Sequence, residues 1–334
     1  MKMNGLKIRI KLKEEPIGKY MDKKLAIVIP AYKAVFFDDV LLSLSNQTCK
    51  QFNVYIGIDA SNEDFETIIS KYSAVLSITW KRFNTNLGGT DLVAQWERCI
   101  ELTNGEPWIW LFSDDDIIGK RCVELLLNEI SNDYDLYHFN VKRIDEKNNV
   151  VCEKTHFPIV WTGKDMFWAK QCDKIDSFVV EYIFSRKVYE RTGGFQNFPM
   201  AWGSDIATWI KFAGDNGIKT VAGDFVYWRK SSENITPQKN RDMSIKKILI
   251  ETDYLDWVNK FFHKTMTNKC SYLYFRSLGF YSPFLSWSDA SDSLKYAKDK
   301  ALINNSVRWF LFCLFPVLSL AKKIVNAFKD PNKH

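Results

Sequence analysis

The amino-acid sequence predicts an α/β fold, a mixed sheet covered by helices, with a helical C-terminal extension. Three observations carry that expectation. Through the first half, short β-branched apolar runs alternate with segments whose apolar residues recur at helical spacing, the pattern of a sheet wound with crossover helices. The runs are apolar throughout, as strands covered on both faces require. From about residue 240 onward the chain reads as helix and is strongly aromatic. With 334 residues, 46% hydrophobic and 15% aromatic, it can bury a large core in one main domain plus an appendage.

In chain order, LAIVIPAY (25–32) is an apolar run stopped by Pro30 and reads as a buried strand. FFDDVLLSLSNQ (36–47) follows, with Phe37, Val40, Leu41 and Leu44 on one helical face. FNVYIGIDAS (52–61) returns to strand, NEDFETIISKY to helix and LSITWKRF (76–83) to strand. After NTNLGGTD, the segment LVAQWERCIEL sets Leu92, Val93, Trp96 and Ile100 on a helical face, and PWIWLF is the next strand. The second half differs. DLYHFNVKRID, VVCEKTHFPIVW, SFVVEYIF and KTVAGDFVYW read as strands between shorter helices, a mixed continuation of the sheet. MSIKKILIETDYLDWVNKFFHK is the clearest helix of the extension.

Seven cysteines, at 49, 99, 122, 152, 172, 270 and 313, are odd in number and include no C-x-x-C pair. That argues against a disulfide framework and a thiolate zinc site, and fits a reducing cytosol. The net charge of +6 is uneven: residues 1–24 hold eight Lys/Arg against three Asp/Glu, and residues 306–334 hold five against one. Basic ends around a mildly acidic body point to an anionic surface as a partner, membrane headgroups being one candidate; solvated tails are the plainer reading. The N-terminus lacks the continuous apolar stretch of a secretory signal. Near the other end, WFLFCLFPVLSLA (309–321) is broken by Pro316 and too short to span a bilayer as a helix. With Arg308 before it and Lys322, Lys323 and Lys329 after it, it reads either as an in-plane amphipathic anchor or as a last helix packed on the core.

Three polar clusters fall at predicted strand ends, where open α/β sheets bind ligands: Asp59, NTNLGG (84–89) and Ser113 to Asp116. Adjacent carboxylates repel one another and need a cation or a set of donors to stay ionised. Asp114, Asp115 and Asp116 offer the oxygen ligands that Mg²⁺ or Mn²⁺ prefers and commonly shares with substrate phosphates. Capping of a helix in IIGKRCVELLLNEI accounts for one or two of them instead. Gly88 and Gly89 let the backbone approach a ligand closely, though a glycine turn explains them as well. In GGFQNFPMAWGSDIATWIKFA (193–213), Ser204 or Asp205 is placed to cap a helix carrying Ile206, Trp209, Ile210 and Ala213. Asp205 also stands in a loop rich in glycine and aromatics, where a carboxylate can serve as a general base.

The order of these pieces resembles the landmarks of family 2 glycosyltransferases of the GT-A fold, a Rossmann-like mixed sheet. AIVIPAYK, SLSNQT, IGIDAS, NLGG, FSDDD, GGF and GSDIATW follow one another as they do there, over roughly residues 24 to 235. The resemblance implies transfer of a sugar from a nucleoside diphosphate sugar, most often UDP-linked, to an acceptor hydroxyl with inversion. It implies that Pro30, Ala31 and Tyr32 line the nucleotide pocket, that Asp59 contacts the base, and that Asn86, Gly88 and Asp114 lie near the nucleotide. Asp115 and Asp116 would form the metal site, and Asp205 matches the acidic residue that deprotonates the acceptor. Trp202, beside that residue, is the aromatic expected to meet the acceptor; for Trp161, Trp168 and Trp209 core packing is the plainer reading. His138 and His156 show no ligand spacing.

Two departures from the family pattern stand out. Ser113 occupies the first position of a motif that usually reads Asp-x-Asp-Asp, and VYWRKSSENIT offers Arg229, Lys230 and Ser231 where relatives often carry a histidine. Arg229 is therefore expected to share in stabilising the leaving group. The expected organisation is a basic segment (1–23), the glycosyltransferase domain (24–235), a helical extension (236–305) and an amphipathic basic end (306–334). The resemblance also implies a role in cell-surface polysaccharide or glycolipid synthesis at the cytoplasmic membrane face, with a saccharide or lipid-linked saccharide acceptor and no nucleic-acid partner. A sugar nucleotidyltransferase is the first rival, but PAYKAVFFDD lacks that class's glycine-rich phosphate loop. A non-catalytic carbohydrate- or nucleotide-binding module is the second.

Overall fold

The computed structural model describes residues 24–154, 156–231 and 240–329. The expected basic segment 1–23 lies outside the described residues, as do 232–239 at the expected domain boundary and 330–334 at the basic end.

Strand β1 (Leu25–Ala31) is buried along nearly its whole length, which its unbroken apolar run requires. β2 (Phe52–Ile58) pairs parallel to it on one side, reached through helix α1 (Phe37–Ser45), whose Phe37, Val40, Leu41 and Leu44 turn inward. Helix α2 (Phe65–Tyr72), capped by the Asp64 carboxylate accepting from Thr67 N, leads to β3 (Ile78–Arg82), parallel to β2. Helix α3 (Leu92–Ile100) is capped in the same way by Asp91 and returns the chain to β4 (Trp108–Leu111), parallel to β1 on its other side. Chain order reverses at β1, so the carboxyl ends of β1, β2 and β4 open a crevice of the kind that binds ligands in such sheets.

The two-residue β5 (Ile117–Ile118) follows, then α4 (Cys122–Glu129) and β6 (Leu136–Ile144). The run VVCEKTHFPIVW divides into β7 (Val150–Glu153) and β8 (Val160–Trp161), since Pro158 has no N–H to give a ladder. Helix α5 (Gly163–Gln171), β9 (Tyr182–Ser185), α6 (Arg186–Thr192), α7 (Ser204–Ala213) and β10 (Ile218–Arg229) complete the sheet. The described strands run in the order β3-β2-β1-β4-β9-β6-β10-β5, with β7 on β6 and β8 on β10. β9 is antiparallel to both neighbours, which makes the sheet mixed, as the second half of the sequence predicts.

Side chains of β1 alternate between two cores. Leu25, Ile27 and Ile29 pack with α1, α2 and α4, while Ala26 and Val28 face α3 and α7. The second core continues without a break into α8 (Arg241–Phe261), α9 (Thr267–Tyr281), α10 (Trp287–Asp299) and α11 (Asn305–Lys329), through Tyr254, Leu273, Leu294, Leu311 and Phe315. Each such side chain contributes roughly 1.5–3 kcal/mol of burial. The C-terminal helices therefore stand on the sheet face that carries α7. Helix α11 runs through Pro316 for 25 residues, where the sequence predicts a break. Among the described residues no helix is long and apolar enough to cross a membrane.

Candidate active site

The crevice at β1, β2 and β4 holds a cavity of about 560 Å³. Pro30, Ala31 and Tyr32 line it from the end of β1, Asp59 from the end of β2, Asn86 and Gly88 from the glycine loop, and Asp114 and Asp115 from the turn after β4. All seven residues that the resemblance assigns to the nucleotide, Arg229 excepted, border this one space. Lys33 borders it too, a residue to which sequence reasoning gives no role.

Asp59 organises the glycine loop. Its Oδ1 accepts from Leu87 N at 2.7 Å and from Arg98, and its Oδ2 accepts from Gly88 N at 2.8 Å. Gly88 is required by closeness, since a Cβ there would lie 2.8 Å from Asp59 Oδ2. Asn86 Oδ1 accepts from Gly89 N at 2.7 Å and closes the turn. Asp59 thus shapes the wall of the cavity through the loop it holds.

The three aspartates do different work, and none of them caps α4, whose start carries no side-chain cap. Asp114 Oδ2 accepts from Tyr32 N at 2.6 Å and Lys33 N at 2.8 Å, pinning the end of β1 to the turn after β4. Burial, countered by those N–H groups, pushes its carboxyl up to about 6. Asp116 is buried, with Oδ2 accepting from Ser113 Oγ at 2.6 Å and Oδ1 from Arg229 N at 2.6 Å. Burial and then the charge of Asp115 hold Asp116 well above the usual carboxylate range. Asp115 alone of the three borders both the 560 Å³ cavity and a second chamber of about 310 Å³ behind it. Ser113, in the place of the family's first aspartate, acts as donor to Asp116.

Arg229 stands elsewhere than the sequence suggests. Its side chain is fully buried and points into protein: Nε donates to Asp115 O at 2.7 Å, Nη1 to Asn148 Oδ1 at 2.6 Å and to Asp145 O at 3.2 Å, and Nη2 to Asp39 Oδ2 at 3.1 Å. Its guanidinium also lies 4.3 Å from the Phe36 ring centroid. It ties the acidic turn to α1 and to the hairpin after β6, and borders none of the cavities described here. A direct phosphate contact from it is corrected to a positioning role.

The 310 Å³ chamber is lined by Ser113, Asp115 and Asp116 and also by Phe178 and Asp205. Asp205 lies in the first turn of α7, which starts from Gly203 in the left-handed conformation (φ 74°). A side chain at 203 would also press on the Tyr254 ring, 3.0 Å from a Cβ. Ser204 does not cap the helix; its hydroxyl accepts from Phe198 N at 2.8 Å. Burial raises the Asp205 carboxyl, with Ile206 N–H and the charge of Lys170 opposing.

Asp205 and Phe178 also line a cleft of about 1030 Å³ that opens between α7 and the C-terminal helices. Trp202 lines it and donates Nε1 to Glu251 Oε2 at 2.6 Å. Phe178 is stacked face to face on Trp228, centroids 4.2 Å apart, and its carbonyl accepts from Trp209 Nε1 at 3.2 Å. Its N–H donates at 2.6 Å to Glu181, a fully buried carboxyl pushed up to about 8 by burial. Sequence reasoning misses both Phe178 and Glu181, because SFVVEYIF reads as one strand, whereas 178–180 turn aside to line the chamber. Trp209 stacks on Tyr182 inside the core, Trp161 packs on Phe157, and Trp168 meets Tyr272 edge-on. His138 is fully buried against Phe157, and burial lowers it to about 3.

Among the described residues no group of three or more His, Cys, Asp and Glu is arranged to hold a metal ion. The donor set suits a cation carried by one carboxylate, Asp115, together with substrate phosphates, which is a common arrangement for Mg²⁺. Both oxygens of Asp116 are already committed within the protein.

A cavity over the glycine loop, an acidic turn behind it and a half-buried carboxylate bordering both the 310 Å³ chamber and the cleft make up the candidate site. Residues 26–190, about half of the chain, match the family described as glycosyl transferase family 2. An uncharacterized glycosyltransferase of Mycoplasma pneumoniae is 27% identical over 169 residues, 48% of this chain. The chain spans about half the length of that curated relative, 55% of it. Among solved structures, S. aureus TarS 1–349 in complex with UDP-GlcNAc superposes with a TM-score of 0.56 at 16% identity, over 92% of each chain. The same protein in complex with UDP gives 0.53 at 15% identity over the same shares. At these identities the likeness establishes the fold, which is GT-A with a helical C-terminal region.

Proposed function

We propose that the protein transfers a sugar from a UDP-linked donor to an acceptor hydroxyl with inversion, in the assembly of a cell-surface polysaccharide or glycolipid at the inner face of the cell membrane. The observation that carries this reading is the position of Asp205, which lines both the chamber reached by the acidic turn and the large cleft beyond it. The nucleotide takes the cavity over β1, β2 and the glycine loop, the donor sugar the 310 Å³ chamber, and the acceptor the cleft beside Trp202. UDP takes its support from TarS, whose structures hold UDP and UDP-GlcNAc.

The Asp205 carboxylate accepts the proton of the acceptor hydroxyl. The freed oxygen pair attacks the anomeric carbon from the side opposite the diphosphate, the bond from that carbon to the diphosphate oxygen breaks, and its electrons leave with the UDP. One displacement inverts the centre. Burial makes Asp205 a stronger base than a solvated aspartate. Lys33, in the donor cavity, supplies positive charge near the departing phosphates. Mg²⁺ or Mn²⁺, held by Asp115 and the donor phosphates, would neutralise the charge that develops there. Asp114 and Asp116 keep the turn in shape, and Arg229 fixes the Asp115 backbone.

The test is Asp205→Asn, followed as UDP released from UDP-GlcNAc with a membrane lipid extract as acceptor. Transfer should fall by about 10²–10⁴ while UDP affinity is retained. Unchanged transfer would remove Asp205 from the chemistry.

A further inference from the structure

Helix α11 carries a surface that the reaction does not use. It meets the core through Leu311 and Phe315, and through Leu318, Ala321 and Lys322 it forms one wall of the large cleft. On the side turned away from both, Trp309, Val317, Leu320 and Ile324 follow one another at multiples of the helical repeat, with Phe310 beside them, and these five side chains are 49% to 64% exposed. Cys313 falls on the same face and is exposed. A row of this kind is more than the scattered exposed apolar residues of an ordinary surface.

Cations stand along its edges. The Arg308 guanidinium lies 5.4 Å from the Trp309 ring centroid, and Lys323 is exposed beside the last turns. A tryptophan and aliphatic face flanked by basic side chains is the composition of a helix lying in a lipid interface. We infer that this face rests on an anionic lipid surface, so that the cleft walled by α11 opens at the membrane plane and receives a saccharide tethered to a lipid. The lipid-tethered acceptor rests on the proposed reading of that cleft as the acceptor site; the membrane contact does not. Lys170, Arg276 and Lys322, from three different helices, give the cleft donors suited to the phosphate of such a tether. A second copy of the chain would also cover the apolar row, but a two-fold contact would bring the cations at 308 and 323 near those of the copy, where like charges repel.

The experiment is flotation of the full chain with vesicles of phosphatidylcholine alone or mixed with phosphatidylglycerol. The chain should rise with the anionic vesicles and less so at high salt. A triple variant, Val317→Gln, Leu320→Gln and Ile324→Gln, should lose flotation, and Lys323→Gln should weaken it about fivefold. The thermal shift given by UDP should be the same in all three proteins, which establishes that the variants are folded. Equal flotation of the triple variant overturns the inference, as does absence of flotation by the parent chain. A dimer seen by light scattering, abolished by the triple variant without any lipid binding, assigns the face to a second copy and overturns it as well. Flotation as expected without any UDP shift leaves the lipid face standing and removes UDP from the proposed reaction.

Discussion

Asp115 and Asp205 line the same chamber, although one belongs to the turn after β4 and the other to the first turn of α7. The sheet brings them together: β4 and β9 are neighbours, and the 178–180 segment before β9 lines the same chamber. Both carboxylates border one space of about 310 Å³, which is where the proposed reaction sets the donor sugar.

The glycine loop depends on the absence of a side chain at 88. In Gly88→Ala the new Cβ would meet Asp59 Oδ2 at 2.8 Å and force the carboxylate off the loop it holds. UDP affinity measured by calorimetry should fall about tenfold, equivalent to about 1.4 kcal/mol.

Removing the Arg229 guanidinium takes a donor from the Asp115 carbonyl and the Asn148 side chain, while the Asp145 carbonyl keeps the Asn148 N–H at 3.1 Å. Asp39 is 35% exposed and Asn148 is exposed, so both are in part resolvated, and most of the loss comes from the Asp115 carbonyl and from the packing of the fully buried guanidinium. Arg229→Met should cost about 2–4 kcal/mol in urea unfolding and reduce donor binding with it.

Glu181 gives a signed pH effect. Burial raises its folded value to about 8, above the ordinary glutamate, so between roughly pH 4 and pH 8 the folded state keeps a proton that the unfolded state gives up. Its contribution to stability therefore falls as pH rises through that window and levels off above it. Glu181→Gln removes the titration, and the variant should gain on the parent in urea unfolding at pH 8, by on the order of a few kcal/mol, with no gain at pH 4.

Asp205 predicts the acid limb of the rate. Its raised carboxyl must be ionised to accept a proton, so kcat/KM should rise with pH through an inflection above the ordinary aspartate value of about 3.9. The residual rate of Asp205→Asn should lack that inflection.

How much of this was legible in the sequence differs by element. β1, β2 and β4 declare themselves because a strand covered on both faces must be apolar throughout. Asp59, Gly88 and Asp115 stand at strand ends, where composition alone marks them, although the bond from Gly88 N to Asp59 is a tertiary fact. β5 is hidden because IIGKRCVELLLNEI reads as one helix. Ile117 and Ile118 instead pair with β10, and Gly119 fits against Asp224, where a Cβ would come within 2.2 Å. Arg229 misleads because a basic residue at a strand end resembles a phosphate ligand. Its actual partners come from α1, the acidic turn and the hairpin after β6, which only the folded sheet assembles. Pro316 misleads in the opposite way: it sits on the exposed side of α11, where a missing N–H is tolerated, and the helix continues.

The central claim is that Asp115 carries a divalent ion whose other ligands are the phosphates of a UDP donor. The most direct measurement is the thermal shift given by UDP with and without Mn²⁺, in the parent chain and in Asp115→Asn. The account predicts a shift in the parent that grows with Mn²⁺ and a metal-dependent part that disappears in the variant. A UDP shift of equal size with and without Mn²⁺, unchanged by the substitution, would contradict it.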